Sequence, residues 1–97
     1  MSRVRDRHVL ITGAASGMGR LMAHQLAREG ARLSLVDIDV ARLYSVAAEL
    51  PGCTFYLCDI TSRNEIADLR ARVHGVDILI NNAGVIGHGA YVDVDHL

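Results

Sequence analysis

The chain has 97 residues, 51% of them hydrophobic, with ten arginines, eleven acids and a formal net charge of −1. That balance argues against a nucleic-acid or membrane partner held by bulk charge. No apolar run approaches a membrane span, and Arg3, Arg5 and Arg7 precede no long apolar segment, so they form a solvated lead-in and not a secretory signal.

His8-Val9-Leu10-Ile11 is a continuous apolar run, as a strand buried on both faces requires. It leads directly into Thr12-Gly13-Ala14-Ala15-Ser16-Gly17-Met18-Gly19. A helix is predicted from Gly17 to Glu29, with Met18, Met22, Ala23, Leu26 and Ala27 on one face and Gly30 just beyond its end. Arg32–Asp37 is a second strand. Asp39 is placed as the N-cap of a second helix that turns Val40, Leu43, Ala47 and Leu50 inward and stops at Pro51-Gly52. Thr54–Leu57 is a third strand. Ser62 with Glu65 makes a capping box, opening a helix with Ile66, Leu69 and Val73 inward and Gly75 at its end. Ile78–Ile80 is the fourth strand, followed by Asn81-Asn82-Ala83-Gly84. Residues 85–97 carry no pattern that assigns an element.

Strands alternating with helices imply an α/β fold with a parallel sheet. We expect a Rossmann-type doubly wound sheet of order 3-2-1-4, truncated after the fourth strand. It forms a single partial domain, with 1–84 as a βαβαβαβ core and 85–97 as the start of a substrate-side loop. The outer edge of the fourth strand is then left open. An apolar open edge invites association, so the chain alone is expected to be marginally folded, oligomeric or aggregating.

The glycine-rich turn carries the first functional signal. A chain leaving a strand and entering a helix at once needs positive φ, which glycine reaches without strain. Gly13 is placed for the turn. Gly17 stands where a Cβ would keep a phosphate from the backbone, and Gly19 where helix and strand pack closely. The free N–H groups and positive end of the helix then face an anion. The spacing G-x-x-x-G-x-G shares the mechanism of the dinucleotide fingerprint G-x-G-x-x-G but not its spacing. No Gly-Lys-Ser/Thr follows, so it is not a P-loop. Asp37, ending the second strand, suits the hydroxyls of an adenine ribose and would repel a 2′-phosphate. Ser16 brings no positive charge to offset that repulsion, so NAD is expected over NADP.

Four motifs, Thr-Gly-x-x-x-Gly-x-Gly from Thr12, the acid Asp37 ending the second strand, Asp59-Ile60 ending the third and Asn81-Asn82-Ala83-Gly84 ending the fourth, in this order and spacing resemble the short-chain dehydrogenase/reductase family from about Arg5 to about Gly84. The resemblance implies that Gly13, Ser16, Gly17, Met18 and Gly19 surround the pyrophosphate and its ribose. It implies Asp37 and Ile38 at the adenosine ribose, and Asp59 on the adenine amino group with the Ile60 backbone beside it. It further implies Asn82, Ala83 and Gly84 along the cofactor, with Thr12 and Asn81 tying the central strands together. Met18 stands where the family usually has isoleucine, a mild departure because the backbone makes that contact.

A larger departure is the absence of lysine. The family uses a serine and a tyrosine four residues before a lysine, and arginine cannot be tuned in lysine's place. Tyr44, Tyr56 and Tyr91 have no lysine partner, so no catalytic residue is assigned. The expected function is the NAD-binding portion of a short-chain oxidoreductase. Its intact form moves hydride between NAD(H) and a small alcohol or carbonyl substrate, as a cytoplasmic homo-oligomer. The alternative is a short non-catalytic product that binds a dinucleotide or a partner protein.

Cys53 and Cys58 fall in one strand segment, about 16 Å apart and on opposite faces, beyond the ~7 Å reach of a disulfide. They read as small buried hydrophobes of a reducing compartment. His8, His24, His74, His88 and His96 form no metal-type spacing, and His88, between Gly87 and Gly89, reads as a solvent-facing loop residue.

Overall fold

The computed structural model describes residues 3–82 and the backbone of a strand at Ala90–Val92. The strands are β1 (His8–Thr12), β2 (Arg32–Asp37), β3 (Thr54–Leu57), β4 (Ile78–Asn81) and β5 (Ala90–Val92). The helices are α1 (Gly17–Arg28), α2 (Val40–Glu49) and α3 (Arg63–Arg72). One sheet carries all five strands in the order β3-β2-β1-β4-β5. β1 to β4 are parallel, in the expected order 3-2-1-4.

The sheet does not stop at β4. β5 pairs with it antiparallel, Asn81 opposite Ala90 and Leu79 opposite Val92. This corrects both the truncation after four strands and the open β4 edge. Only eight residues separate Asn81 from Ala90, too few for a parallel crossover but enough for an antiparallel return. The sheet's edges are therefore β5 and β3, and at β3 Phe55 and Leu57 are exposed.

The two-residue period of the strands divides the core. Val9, Ile11, Leu33, Leu35 and Ile80 point to one face and pack with Ala23 of α1 and Leu43 and Val46 of α2. Leu10, Val36, Cys58 and Leu79 point to the other and pack with Leu69 of α3 and Val73. Burying a Leu, Ile or Val side chain contributes about 1.5–3 kcal/mol, so both layers are needed to hold the sheet. Cys53 packs against the first layer and Cys58 lies in the second, both as free thiols.

Two inward positions of the sequence reading are corrected. Met18 is 62% exposed and Val40 46% exposed. Both stand in the first turn of their helix, beside the loop and not over the sheet. Val46, not singled out from the pattern, is buried instead.

The helix ends follow local chemistry. α1 closes with Gly30 N–H on the Ala27 carbonyl and Ala31 N–H on the Leu26 carbonyl, the paired bonds of a Schellman motif. The Asp39 side chain accepts from Arg42 N–H at the start of α2. Ser62 Oγ accepts from Glu65 N–H at the start of α3. The reciprocal half of that capping box is displaced: Glu65 Oε1 accepts from Asp59 N–H, three residues before the cap.

Candidate functional site

The carboxyl ends of β1, β2 and β3 enclose a cleft of about 190 Å³. Its apolar wall is Val36, Cys58 and Ile60, with Ile38 at the rim; its polar groups include Asp37 and Asp59. Gly13 closes it on the β1 side. Burial pushes the Cys58 thiol pKa up, with Glu65 and Asp59 adding to the effect. The thiol is therefore neutral and acts as apolar wall.

The glycine-rich loop is shaped by its own backbone. Gly13 has φ 64° and Gly17 φ 57°, values that strain any residue with a Cβ. A Cβ at Gly17 would meet nothing within 4 Å, so the space before it is open. A Cβ at Gly19 would collide with the Gly13 carbonyl oxygen and crowd Asn82 Nδ2. Gly19 thus lets α1 close onto the loop. Ser16 is the N-cap of α1, yet its side chain makes no cap bond, and the first turn carries no acid. The other two helices receive a side-chain cap. The positive end of α1 is left for an anion.

Asn81, the last residue of β4, and Asn82 just after it tie the loop in place. Thr12 Oγ1 donates to Asn81 Oδ1 at 2.8 Å, joining the ends of β1 and β4. Asn82 Nδ2 donates to the Gly13 carbonyl at 3.1 Å. Ala83 and Gly84 lie outside the described residues.

Asp37 is more constrained than its sequence position suggested. Its Oδ2 accepts from Ala15 N–H at 3.0 Å and its Oδ1 from Asp39 N–H at 2.9 Å. One oxygen straps the glycine-rich loop to β2 and the other orders the turn into α2. Each retains a lone pair for a further donor. Asp59 stands across the cleft. Its pKa is held below the usual carboxylate range by hydrogen bonds from the Thr61 hydroxyl and backbone. The sequence reading missed Ala15 and Thr61. A hydroxyl two residues after a strand-ending acid was the available sign for Thr61.

The structure therefore brings together Gly13, Asp37, Ile38, Asp59 and Ile60 around one cleft. The Ser16, Gly17, Met18 and Gly19 turn lies beside it, continuing from Gly13. Asn82 reaches the same loop from just beyond β4. Among the described residues no group of His, Cys, Asp and Glu is arranged to hold a metal.

A family profile described as short chain dehydrogenase matches residues 7–96. The chain belongs to the short-chain dehydrogenase family. It is 33% identical over 95 residues to the rat dehydrogenase/reductase SDR family member 6, covering 98% of this chain and 38% of that protein. Among solved structures, a xylitol dehydrogenase with NAD+ bound superposes with a TM-score of 0.78 at 29% identity, over 87% of this chain and 35% of the other. A short-chain dehydrogenase from Sphingobium yanoikuyae, in complex with NADPH, superposes with a TM-score of 0.73 at 38% identity, over 81% and 34%. The chain thus spans little more than a third of the length of these relatives. As a short-chain dehydrogenase sequence it carries the family's nicotinamide-dinucleotide fold, and no helix among the described residues is long and apolar enough to cross a membrane.

Proposed function

We propose that this chain is the NAD-binding portion of a short-chain oxidoreductase acting on an alcohol/carbonyl pair. The observation that carries the proposal is the Asp37 carboxylate at the cleft, strapped to the glycine-rich loop through Ala15 N–H, with open space before Gly17 at the uncapped start of α1. In this reading the first turn of α1 takes the pyrophosphate. Asp37, beside Ile38, takes the adenine ribose, and Asp59 with Ile60 takes the adenine. Asn82, Ala83 and Gly84 run along the rest of the cofactor. NAD(H), when bound, supplies the hydride chemistry; the residues here bind and orient it.

The preference for NAD over NADP follows from charge. A 2′-phosphate would meet the Asp37 carboxylate at contact distance, a repulsion on the order of a few kcal/mol at a realistic effective dielectric. No lysine exists in the chain to offset it, and Ser16 is neutral. The test is calorimetry with NADH and NADPH. NADH is expected to bind more tightly, and equal affinities or a preference for NADPH would overturn the argument from Asp37. The family's tyrosine–lysine pair is absent from these 97 residues. Residues 1–97 alone are therefore expected to turn over no alcohol with either cofactor, and NADH formation by the purified chain would contradict this.

A further inference from the structure

The segment after β3 is held from several sides. Asp59 N–H donates to Glu65 Oε1 at 2.9 Å, and the Asp59 carbonyl accepts from Ser62 N–H at 3.0 Å. The Asp59 side chain is held as firmly as its backbone. Its Oδ1 accepts twice from one residue, from Thr61 N–H at 2.9 Å and from the Thr61 hydroxyl at 2.6 Å. Among the described residues no hydrogen bond reaches Oδ2. The torsion that turns a carboxylate is ordinarily broad and roughly two-fold. Two donors on one oxygen remove that freedom and leave the other oxygen presented. Asp59 and Thr61 both line the cleft.

We propose that Thr61 is a positioning residue for purine recognition, fixing Asp59 so that Oδ2 accepts from the amino group at carbon 6 of adenine. The inference rests on the dinucleotide reading of the cleft, which already sets the Asp59 carboxylate against the adenine amino group, and goes beyond it by naming Thr61 as the residue that fixes which oxygen is presented. A 6-amino group donates to a carboxylate oxygen. The 6-oxo group of hypoxanthine has no hydrogen to give and meets lone pairs with lone pairs. The depressed pKa of Asp59 agrees with a fixed, ionised acceptor at neutral pH.

A sharper consequence concerns the amide. In Asp59→Asn the two Thr61 donors select the amide oxygen, because a nitrogen cannot accept from them. The NH2 group then points into the cleft and matches a 6-oxo purine. The experiment measures, by calorimetry, the dissociation constants of the full chain for NADH and for reduced nicotinamide hypoxanthine dinucleotide. The unaltered chain is expected to favour NADH by about tenfold or more, the worth of one hydrogen bond to a charged group. Asp59→Asn reverses the preference. Thr61→Val reduces it below about threefold and raises the Asp59 pKa read by carbon NMR, while Thr61→Ser retains both native values.

Equal affinity of the unaltered chain for the two dinucleotides would overturn the inference while leaving the proposed function standing. So would a native ratio in Thr61→Val, or persistent NADH preference in Asp59→Asn, which needs no loss of the Thr61 contacts. If neither dinucleotide binds, the proposed function falls and takes the inference with it.

Discussion

The two ends of the sheet are built to opposite rules. At the amino ends of β1, β2 and β3 the polar side chains pair with one another. His8 Nδ1 lies 3.2 Å from the Gly75 carbonyl, which only accepts, so Nδ1 carries a hydrogen. His8 Nε2 meets Ser34 Oγ at 2.6 Å, and Ser34 Oγ meets Thr54 Oγ1 at 2.7 Å. A chain of hydrogen bonds thus crosses three strands. At the carboxyl ends, Asp37 keeps lone pairs beyond its two backbone bonds, Asp59 keeps Oδ2, and α1 begins without a side-chain cap. Paired groups stabilise the sheet but offer little to a ligand. Partly paired groups in a solvent-accessible cleft cost little while exposed and become specific when a ligand completes them. The difference separates residues that keep the fold from residues that give it a use.

The largest effect that would test this division is at Gly19. Gly19→Ala puts a Cβ against the Gly13 carbonyl oxygen, part of a backbone already held by Asn82. We expect a loss of about 1–3 kcal/mol of stability together with NADH binding, read by denaturant titration and calorimetry. Gly17→Ala meets open space instead and is expected to lose only the ~1–2 kcal/mol of a left-handed residue. If the two variants behave alike, the close approach of α1 to the loop is not what Gly19 provides.

Next in size is Asp37→Ala. It removes the repulsion of a 2′-phosphate and also the strap on Ala15 N–H. Affinity for NADH is expected to fall by about 10- to 100-fold, since a hydrogen bond to a charged group contributes about 1.5–3 kcal/mol. NADPH affinity falls less, so the ratio narrows. An unchanged NADH affinity would show that the strap and the ribose contact are both unnecessary.

The amino end should respond in the reverse sense. Ser34 is fully buried, and Ser34→Ala leaves His8 Nε2 and Thr54 Oγ1 without their shared partner. Stability is expected to drop by about 1–3 kcal/mol with NADH affinity unchanged. A severalfold change in that affinity would break the separation of the two ends.

The smallest effect lies away from both ends, between the two helices on one face. Glu49 of α2 accepts from Arg20 at 3.0 and 2.8 Å and from His24 at 2.7 Å, both on α1. These bonds, from Arg20 first and then His24, lower its pKa from 4.5 to about 2. A depressed carboxyl pKa favours the folded state above the ordinary value and loses that contribution as pH falls through the folded one. The fall in melting temperature between pH 4.5 and about 2 is therefore expected to be shallower in Glu49→Gln. The effect is small because the cluster is solvent-exposed and screened. Identical acid profiles would show that the α1–α2 clasp does not contribute.

The sequence by itself determined the elements from β1 to β4 and the order of the parallel strands. Val9 and Ile11 against Leu10, and Leu33 and Leu35 against Val36, already encode a sheet covered on both faces, because side-chain direction alternates strictly along a strand. The caps at Asp39, Ser62 and Gly30 were equally legible, since a helix end is satisfied by residues within one turn. Asp37 stands at the cleft as its place at the end of β2 suggested, and Asp59 lines it as the family resemblance implied.

Tertiary structure decided what depends on partners distant in the chain. β5 pairs with β4 because an open row of backbone groups takes whatever strand can reach it, and helical or strand periodicity in three residues is too short to announce that. Met18 and Val40 share the apolar pattern of their helices but have no sheet beneath them. The bond from Ala15 N–H to Asp37 spans 22 positions and that from Asn82 to Gly13 spans 69. Which oxygen of Asp59 is occupied and which is free is set by the turn geometry of Thr61, a direction in space that residue order does not contain.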